Sequence, residues 1–446
     1  MAELSGLPQS LQLVSDPKSR NKCIAKTYSQ AGSLLFSEES FAAILLFKEK
    51  SYRCDTCFQR PSAISLKKCS GCGGYWYCNA ECQTIHWKRG HKQLCRHFQA
   101  YSTSAEFREL QEHKKLDALL LSHTIARLSL LAQPYRPVTN TPGDILFSLL
   151  PHPSTGLAAP VICPVKPSPP SGLADLIYSR FGNNNFSIHS HFSSVGHGVF
   201  PTASRLFNHS CVPNAAAKYV WIPQKIVTMT AVALRDIQPG EEVCLITLPY
   251  LDPALVQTRP HILQISYGFV CDCPSCTDIR VVELPKVPSN PNDLTRIGKE
   301  LREFVGVDAS DAGVFSPPKL RDLPTGLRCV LREDYISFLS EVFSQSSHKG
   351  DHEIAIDSGM TLLALYLLIY PCNYPQIGMH LLELTKTTWN KRMSTRLTVA
   401  QDRSAKERVM RLLSSAQRVM EVYGPEGDVN GPWEEIDTLH KLLLVV

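Results

Sequence analysis

Residues Arg205 to Asn214 read RLFNHSCVPN, so an Asn, a His, a Ser and a Cys fill four consecutive positions, Asn208 to Cys211. Three readings compete for Cys211: a nucleophile activated by His209, a metal ligand, or a small residue in a turn before a proline. The first needs an imidazole that meets the thiol and a third residue to orient it, and side chains two apart in sequence rarely face each other that way. The second needs partners, and they stand 60 residues downstream, where CDCPSC supplies Cys271, Cys273 and Cys276 at C-x-C-x2-C. A structural zinc takes four ligands, and Cys211 can complete this set of three. That closure would pin the end of the β-rich part of the chain over the Asn-His-Ser segment.

A denser set lies upstream. Cys54 to Cys95 reads C-x2-C-x11-C-x2-C-x5-C-x3-C-x8-H-x3-C, which is eight ligand-type residues and enough for two tetrahedral zinc ions. Cys78 with Cys82, and His91 with Cys95, are spaced i, i+4, which predicts each pair on one face of a helix. So short a segment buries little apolar surface, so metal would supply its folding energy. His86 and His97 are competing ligands, but both break the spacing. The scattered cysteines, Cys23, Cys163, Cys244, Cys329 and Cys372, read as small buried hydrophobes.

The elements that must position these residues can be read from periodicity. Ala105 to Leu131 has helical spacing and predicts one or two helices. Pro134 to Pro170 is rich in Pro, Ser and Gly and predicts an irregular insert without regular helix. Val199 to Leu248 reads as β-rich, with QPGE as a hairpin-like turn. After about Pro285, four amphipathic or buried segments separated by Pro, Gly and polar breaks predict an all-helical region, with hints of tetratricopeptide-like pairs.

Composition narrows the class. The chain has 446 residues, enough for two or more domains, and 43% are hydrophobic. Its net charge of +5, from 46 basic and 41 acidic residues, is too small to imply nucleic-acid binding by itself. The N-terminus lacks a basic start followed by an apolar stretch, so no signal peptide is expected. The most apolar run, Thr361 to Tyr370, is about half the roughly 20 residues of a membrane span. The expectation is a soluble intracellular protein whose CxxC pairs hold zinc in a reducing compartment.

CNAECQTIHWKRGHKQLC closely resembles the terminal half of the MYND zinc finger. That resemblance implies interleaved ligands: Cys54, Cys57, Cys78 and Cys82 on one ion, Cys69, Cys72, His91 and Cys95 on the other. It also implies a finger that can take a proline-rich peptide, beside a basic edge of Lys88, Arg89, Lys92 and Arg96. RLFNHSCVPNA, DIQPGEEVCLITLPYLDP and YGFVCDCPSC resemble a SET methyltransferase core with its post-SET zinc, and YPCNYPQIGMHLLELTKTTW resembles a tetratricopeptide-like C-terminal domain. Together they identify the chain as resembling the SMYD family of protein lysine methyltransferases, over nearly its whole length.

The implied architecture is α+β and multidomain. Residues 1–53 begin a SET core, 54–97 form the finger, and 98–175 are an insert, helical and then Pro-rich. Residues 176–250 complete the core, 251–284 hold the post-SET zinc, and 285–446 form the helical domain. The implied cofactors are S-adenosylmethionine and three zinc ions. Asn21, Asn208, His209 and Phe269 match cofactor-binding positions, Phe269 as the ring that packs on the adenine, and Tyr250 matches the catalytic tyrosine at the cofactor. Phe186 and Tyr267 match walls of the channel for the substrate lysine, with Asn184 and Asn185 along its edges. The partner is a protein or peptide carrying a target lysine, on a histone or another protein. Neither nucleic acid nor membrane is required, and a monomer of nucleus and cytoplasm is expected.

Two departures bear on activity. The family's glycine-rich cofactor turn is replaced by SRNKC, with Lys22 where a glycine would let backbone approach the ligand. The insert at 134–170 changes the region that shapes the peptide groove. A catalytically weak scaffold, whose finger and helices recruit proteins in transcriptional regulation, is therefore the alternative.

Overall fold

The computed structural model of the chain describes residues 7–17, 19–61, 65–131, 135, 141–153, 158–246, 254–280, 282–308 and 317–445. Its β-rich body is assembled from short strands. Leu11–Asp16 and Arg20–Ala25 form an antiparallel hairpin in register from Leu11 with Ala25 to Asp16 with Arg20. Asp16 fastens its end by accepting from Ser19 N and Oγ, both at 2.8 Å. A three-stranded sheet runs Ala215–Val220, Thr228–Ala233, Leu34–Glu39, and a second runs Ala42–Leu45, Ser193–Val199, Asn185–Ser190. Gly196 is required in the second sheet, because a Cβ there would lie 2.8 Å from the Phe58 ring. Asn208–His209 pairs in parallel with Cys244–Leu245, a ladder of two residues.

The QPGE segment turns but makes no hairpin. Its flanks form bridges to the N-terminal segment, Ser29 with Ile237 and Ile24 with Glu242, so the chain crosses to another layer there.

Between the two halves of the body the chain forms the finger and a group of helices. Asn79 caps the helix Ala80–His86 by accepting from Cys82 N at 3.0 Å. A wider turn at Trp87–His91 leads into Lys92–Thr103. Gly90 sits in that turn with φ 139°, and a Cβ would be 3.4 Å from Ala126 of the neighbouring helix Glu112–Leu128. The helix reading of 105–131 is met by Ala105–Arg108 and Glu112–Leu128.

The expectation of no regular helix in 134–170 is corrected by Pro142–Ser148. Pro142 stands at a helix start, where its missing N–H costs nothing, and Thr141 with Asp144 forms a capping box.

From Pro291 onward every regular element among the described residues is helical. The four expected segments become Glu333–Lys349, His352–Ile369, Pro375–Ser394 and Val399–Tyr423, followed by Pro432–Val445. Their shared core includes Leu363, Leu365, Leu381, Leu413 and Ala416, all fully buried, and it continues onto Ala216 and Leu234 of the body. By length and composition His352–Ile369 could cross a membrane, but 72% of it is buried in this core.

The strap before the last helix ties the helical part to the body. Arg53 donates to Asp428 at 2.7 Å, Glu426 accepts from His191 N at 2.8 Å and lies 2.9 Å from His191 Nδ1, and Ser190 bonds Asp428. Burial opposes charge on His191, but Glu426, aided by Asp428, overrides it and raises the ring's pKa above the ordinary value. A raised histidine pKa contributes stability that is complete below the unfolded value of about 6.5 and is lost as pH rises through the folded value. His191→Gln should therefore lower the free energy of unfolding at pH 6, by roughly 3 kcal/mol if the pair is broken outright. The gap from the unaltered protein should close as pH rises to 9 in denaturant titrations; a constant gap would show that the pair carries no proton-linked stability.

Candidate metal centres and the residues beside them

Cys211, Cys271, Cys273 and Cys276 converge in the body, with their sulfur atoms within 4.8 Å of one another and all four residues buried. Cys211 Sγ is 3.5 Å from Cys276 Sγ. S–H bonds from its neighbours drive Cys273 far below the ordinary thiol range, while the same bonds push Cys211 far above it. Left to themselves, four such sulfurs share protons unequally, and only a cation can hold all of them as thiolates. Arg259, fully buried, donates to Ser275 Oγ beside this cluster, and its guanidinium favours the Cys211 thiolate. Nothing in the sequence pattern singled it out.

His209 does meet Cys211, with Nε2 3.3 Å from Sγ. The expectation that residues two apart would not face each other is corrected, because the chain leaves its short strand after His209 and bends at Cys211, which brings both side chains to the sulfur cluster. Among the described residues no third group orients the pair for nucleophilic work; the sulfur's neighbours there are three more sulfurs. Burial pushes His209 down to about 4, against the pull of Cys273.

The other two clusters have the interleaved membership: Cys54, Cys57, Cys78 and Cys82, then Cys69, Cys72, His91 and Cys95, each within 4.8 Å. Cys78 is not on the helix with Cys82. It precedes the cap Asn79, because the helix cannot start until that side chain has satisfied Cys82 N. His91 and Cys95 do follow one another along the helical turn, and His91 Nε2 lies 3.4 Å from Cys69 Sγ and 3.7 Å from Cys72 Sγ. His86 is no ligand: its Nδ1 is 2.9 Å from the Tyr77 hydroxyl, and its ring stacks on His91 at 5.0 Å. His123 stacks on His86 at 5.2 Å and bonds the Tyr75 hydroxyl at 2.8 Å. This aromatic and imidazole stack fastens the finger to the helix behind it. His123 stands too far downstream of the cysteines for spacing to reveal it. Among the scattered cysteines Cys23, Cys163 and Cys329 are buried, whereas Cys244 is half-buried and Cys372 exposed, because the turn carrying Cys372 lies at the surface.

Beside the third cluster, Asn208 Nδ2 donates to Asn21 O and Glu242 Oε1, both at 2.8 Å, and to Ser19 Oγ at 3.2 Å. Asn214 ends the same segment and clips the parallel strand, accepting from Cys244 N at 2.9 Å and donating to Glu242 O at 2.8 Å. Lys22 Nζ reaches Asp16 at 3.0 Å and Glu242 at 3.9 Å. Phe269 packs against the His209 ring at 5.9 Å, and Tyr267 is half-buried on the same cluster. Two side-chain atoms here are closed off from solvent without a hydrogen-bond partner among the described residues: Asn21 Nδ2 and His209 Nδ1. Phe186 lies elsewhere, buried edge-on against Phe200 in the sheet core. Asn184 donates to Leu150 O and Arg180 O at a helix end, and Asn185 opens the next strand. Tyr250 lies outside the described residues.

A finger of two interleaved metal sites, built into an α+β body, defines the class. The MYND finger family matches residues 54–95. Along most of its length the chain is similar to N-lysine methyltransferase SMYD2-B of Danio rerio, 25% identical over 86% of this chain and 90% of that protein. It is 28% identical to N-lysine methyltransferase SMYD2 of Bos taurus over 77% of this chain and 80% of that protein, and 28% identical to that of Homo sapiens over 61% and 64%. The chain thus carries a MYND finger and is similar along most of its length to N-lysine methyltransferases of the SMYD2 type.

Twelve ligands in three sets of four predict three zinc ions per chain by elemental analysis. Cys211→Ser should lower the count to two and destabilise the segment 271–276. Three ions retained in that variant would place the third metal elsewhere.

Proposed function

We propose that the protein is a protein-lysine N-methyltransferase that moves a methyl group from S-adenosylmethionine to a lysine of a histone or non-histone protein. Its relatives' names as N-lysine methyltransferases support this reading. The observation that carries it is the pair of unpartnered polar atoms, Asn21 Nδ2 and His209 Nδ1, around Asn208 and next to the Phe269 ring. A donor, an acceptor and an aromatic face suit an adenosyl ligand carrying polar groups. Asn21, Asn208, His209 and Phe269 would hold the cofactor, whose sulfonium supplies the methyl group.

The remaining work is alignment. In-line displacement needs a neutral lysine amine held straight, more than a strong acid or base. Aromatic walls disfavour the ammonium by desolvation. Tyr267, half-buried beside the third cluster, and Phe186, buried in the sheet core, would wall the channel, with Asn184 and Asn185 along its edges. The Tyr250 hydroxyl would orient the amine and favour positive charge near the methyl group.

The finer architecture belongs to the same reading: a SET core split by the finger, a post-SET zinc, and a tetratricopeptide-like domain over the substrate groove. The chain acts as a monomer in nucleus and cytoplasm, with the finger open to proline-rich peptides.

One observation favours the scaffold alternative, in which the chain recruits partners in transcriptional regulation. Asn208 already has three internal acceptors, and Lys22 is pinned across the entry to the hairpin by Asp16 and Glu242. Calorimetric titration with S-adenosylmethionine separates the two: binding is expected, and no heat at high micromolar cofactor would leave the scaffold. Labelled methyl transfer into a protein lysate should then fall at least tenfold in Tyr250→Phe, whereas full labelling would misplace the catalytic tyrosine.

A further inference from the structure

A short strut from the insert, Ser148 to Pro153, joins the elements that carry the candidate cofactor and substrate residues. It leaves the helix Pro142–Ser148, and Pro151 and Pro153 fix φ at two of its positions, so it is stiff and does not coil. Leu149 is buried and anchors it. The helix Leu173–Asn184 grips its backbone. His152 N donates to Ser179 O at 2.6 Å, and Asn183 Nδ2 and Asn184 Nδ2 donate to Pro151 O and Leu150 O, both at 3.1 Å. The His152 ring lies against Gly182, where a Cβ would come within 2.7 Å of it.

Its two ends meet the other elements. Arg20 Nη1, on the hairpin that carries Asn21, donates to Ser148 O at 2.9 Å. Pro153 packs on Gly268, which ends the helix Arg259–Tyr267 in the left-handed conformation with φ 76°. A Cβ at Gly268 would lie 2.7 Å from Pro153 Cγ, so the contact is close. Gly268 separates Tyr267 from Phe269, and the Phe269 ring is the one that packs against His209.

We propose that Pro153 is a positioning residue for the methyl donor: pressed on Gly268, it stops the Tyr267–Phe269 backbone from swinging away, so the strut sets how long the donor stays bound. This rests on the methyltransferase reading, in which Phe269 packs on the adenine. A glycine gives a segment freedom to hinge, and a stiff neighbour removes that freedom in one direction. Where such a segment must open before a ligand leaves, the stop governs release. Part of the insert at 134–170 thus acts on donor retention, through a residue that carries no chemistry of its own.

Surface plasmon resonance on the full chain, with S-adenosylmethionine and S-adenosylhomocysteine as probes, reads the dissociation rate. Pro153→Ala, which removes the carbons nearest Gly268, should raise that rate about tenfold and leave association nearly as it was, since contact changes register mostly in dissociation. Pro153→Val keeps a branched side chain against Gly268 and should restore most of the retention. Asn183→Ala loosens the grip on Pro151 O and should act in the same direction. The double variant Pro153→Ala, Asn183→Ala should release the probes no faster than Pro153→Ala alone, because both act through one contact. Unchanged dissociation in Pro153→Ala, release by Pro153→Val as fast as by Pro153→Ala, or a double variant in which the two effects multiply overturns the proposal. A lowered zinc content or thermal unfolding midpoint in Pro153→Ala would make the strut merely structural and overturns it too. If the unaltered protein binds neither probe, the methyltransferase reading itself falls; if it binds and the variants match it, only this inference falls.

Discussion

Four thiol sulfurs held within 4.8 Å in a buried space repel one another as thiolates, so a cation has to bind them if they are all to be ionised. In the third cluster those sulfurs come from segments 60 residues apart, Cys211 on one side and Cys271 to Cys276 on the other. The strand that carries Asn208 and His209 has little else to fix it. Its ladder to Cys244–Leu245 is two residues long, too short to stand alone. Ser210 N bonds Leu245 O at 3.1 Å, Asn214 clips Cys244 and Glu242, and Arg259 adds a buried positive charge against the thiolates. Each of these contacts would be weak without the metal, and with it they hold one geometry.

The same device recurs at the finger and extends across the chain. Arg53, adjacent to the ligand Cys54, bonds Phe58 O and pairs with Asp428, which lies beyond the longest C-terminal helix. Asp55, next on the chain, is buried and pairs with Lys50 while accepting from Trp76 N at 2.7 Å. Backbone that a bound metal would fix thus presents buried charges at defined places, and the helical part docks onto the body through Asp428 and Glu426. A salt bridge of this kind is weak evidence of net stability, yet breaking one side of it is costly, which makes it a registration device for the two parts.

The legible features were those with a spacing rule behind them. Twelve metal ligands followed from paired cysteines and four-coordination, and the C-terminal helices followed from periodicity. What escaped was set by tertiary packing. Pro142 reads as a breaker but stands at a helix start, where proline is favoured. QPGE reads as a hairpin, but its flanks find the N-terminal segment in place of each other. His123, Tyr75 and Arg259 have no local signature, because their partners come from other elements. The packing of Phe186, buried edge-on against Phe200, is likewise set by partners from other elements.

The glycine-poor turn changes meaning once its backbone is seen. Lys22 lies in the extended strand Arg20–Ala25, paired with Val14, so a side chain there meets no backbone strain. The left-handed conformation that favours glycine falls instead on Arg20, with φ 68°. What Lys22 alters is charge. It lies between Asp16 and Glu242, and Glu242 also accepts from Asn208. A glycine at this place would leave two carboxylates facing the Asn208 region without a cation, whereas Lys22 balances one of them through a direct hydrogen bond. A ligand carrying a sulfonium and an ammonium group would meet less negative potential here than with glycine. The departure therefore brings no backbone strain at Lys22 and acts through charge.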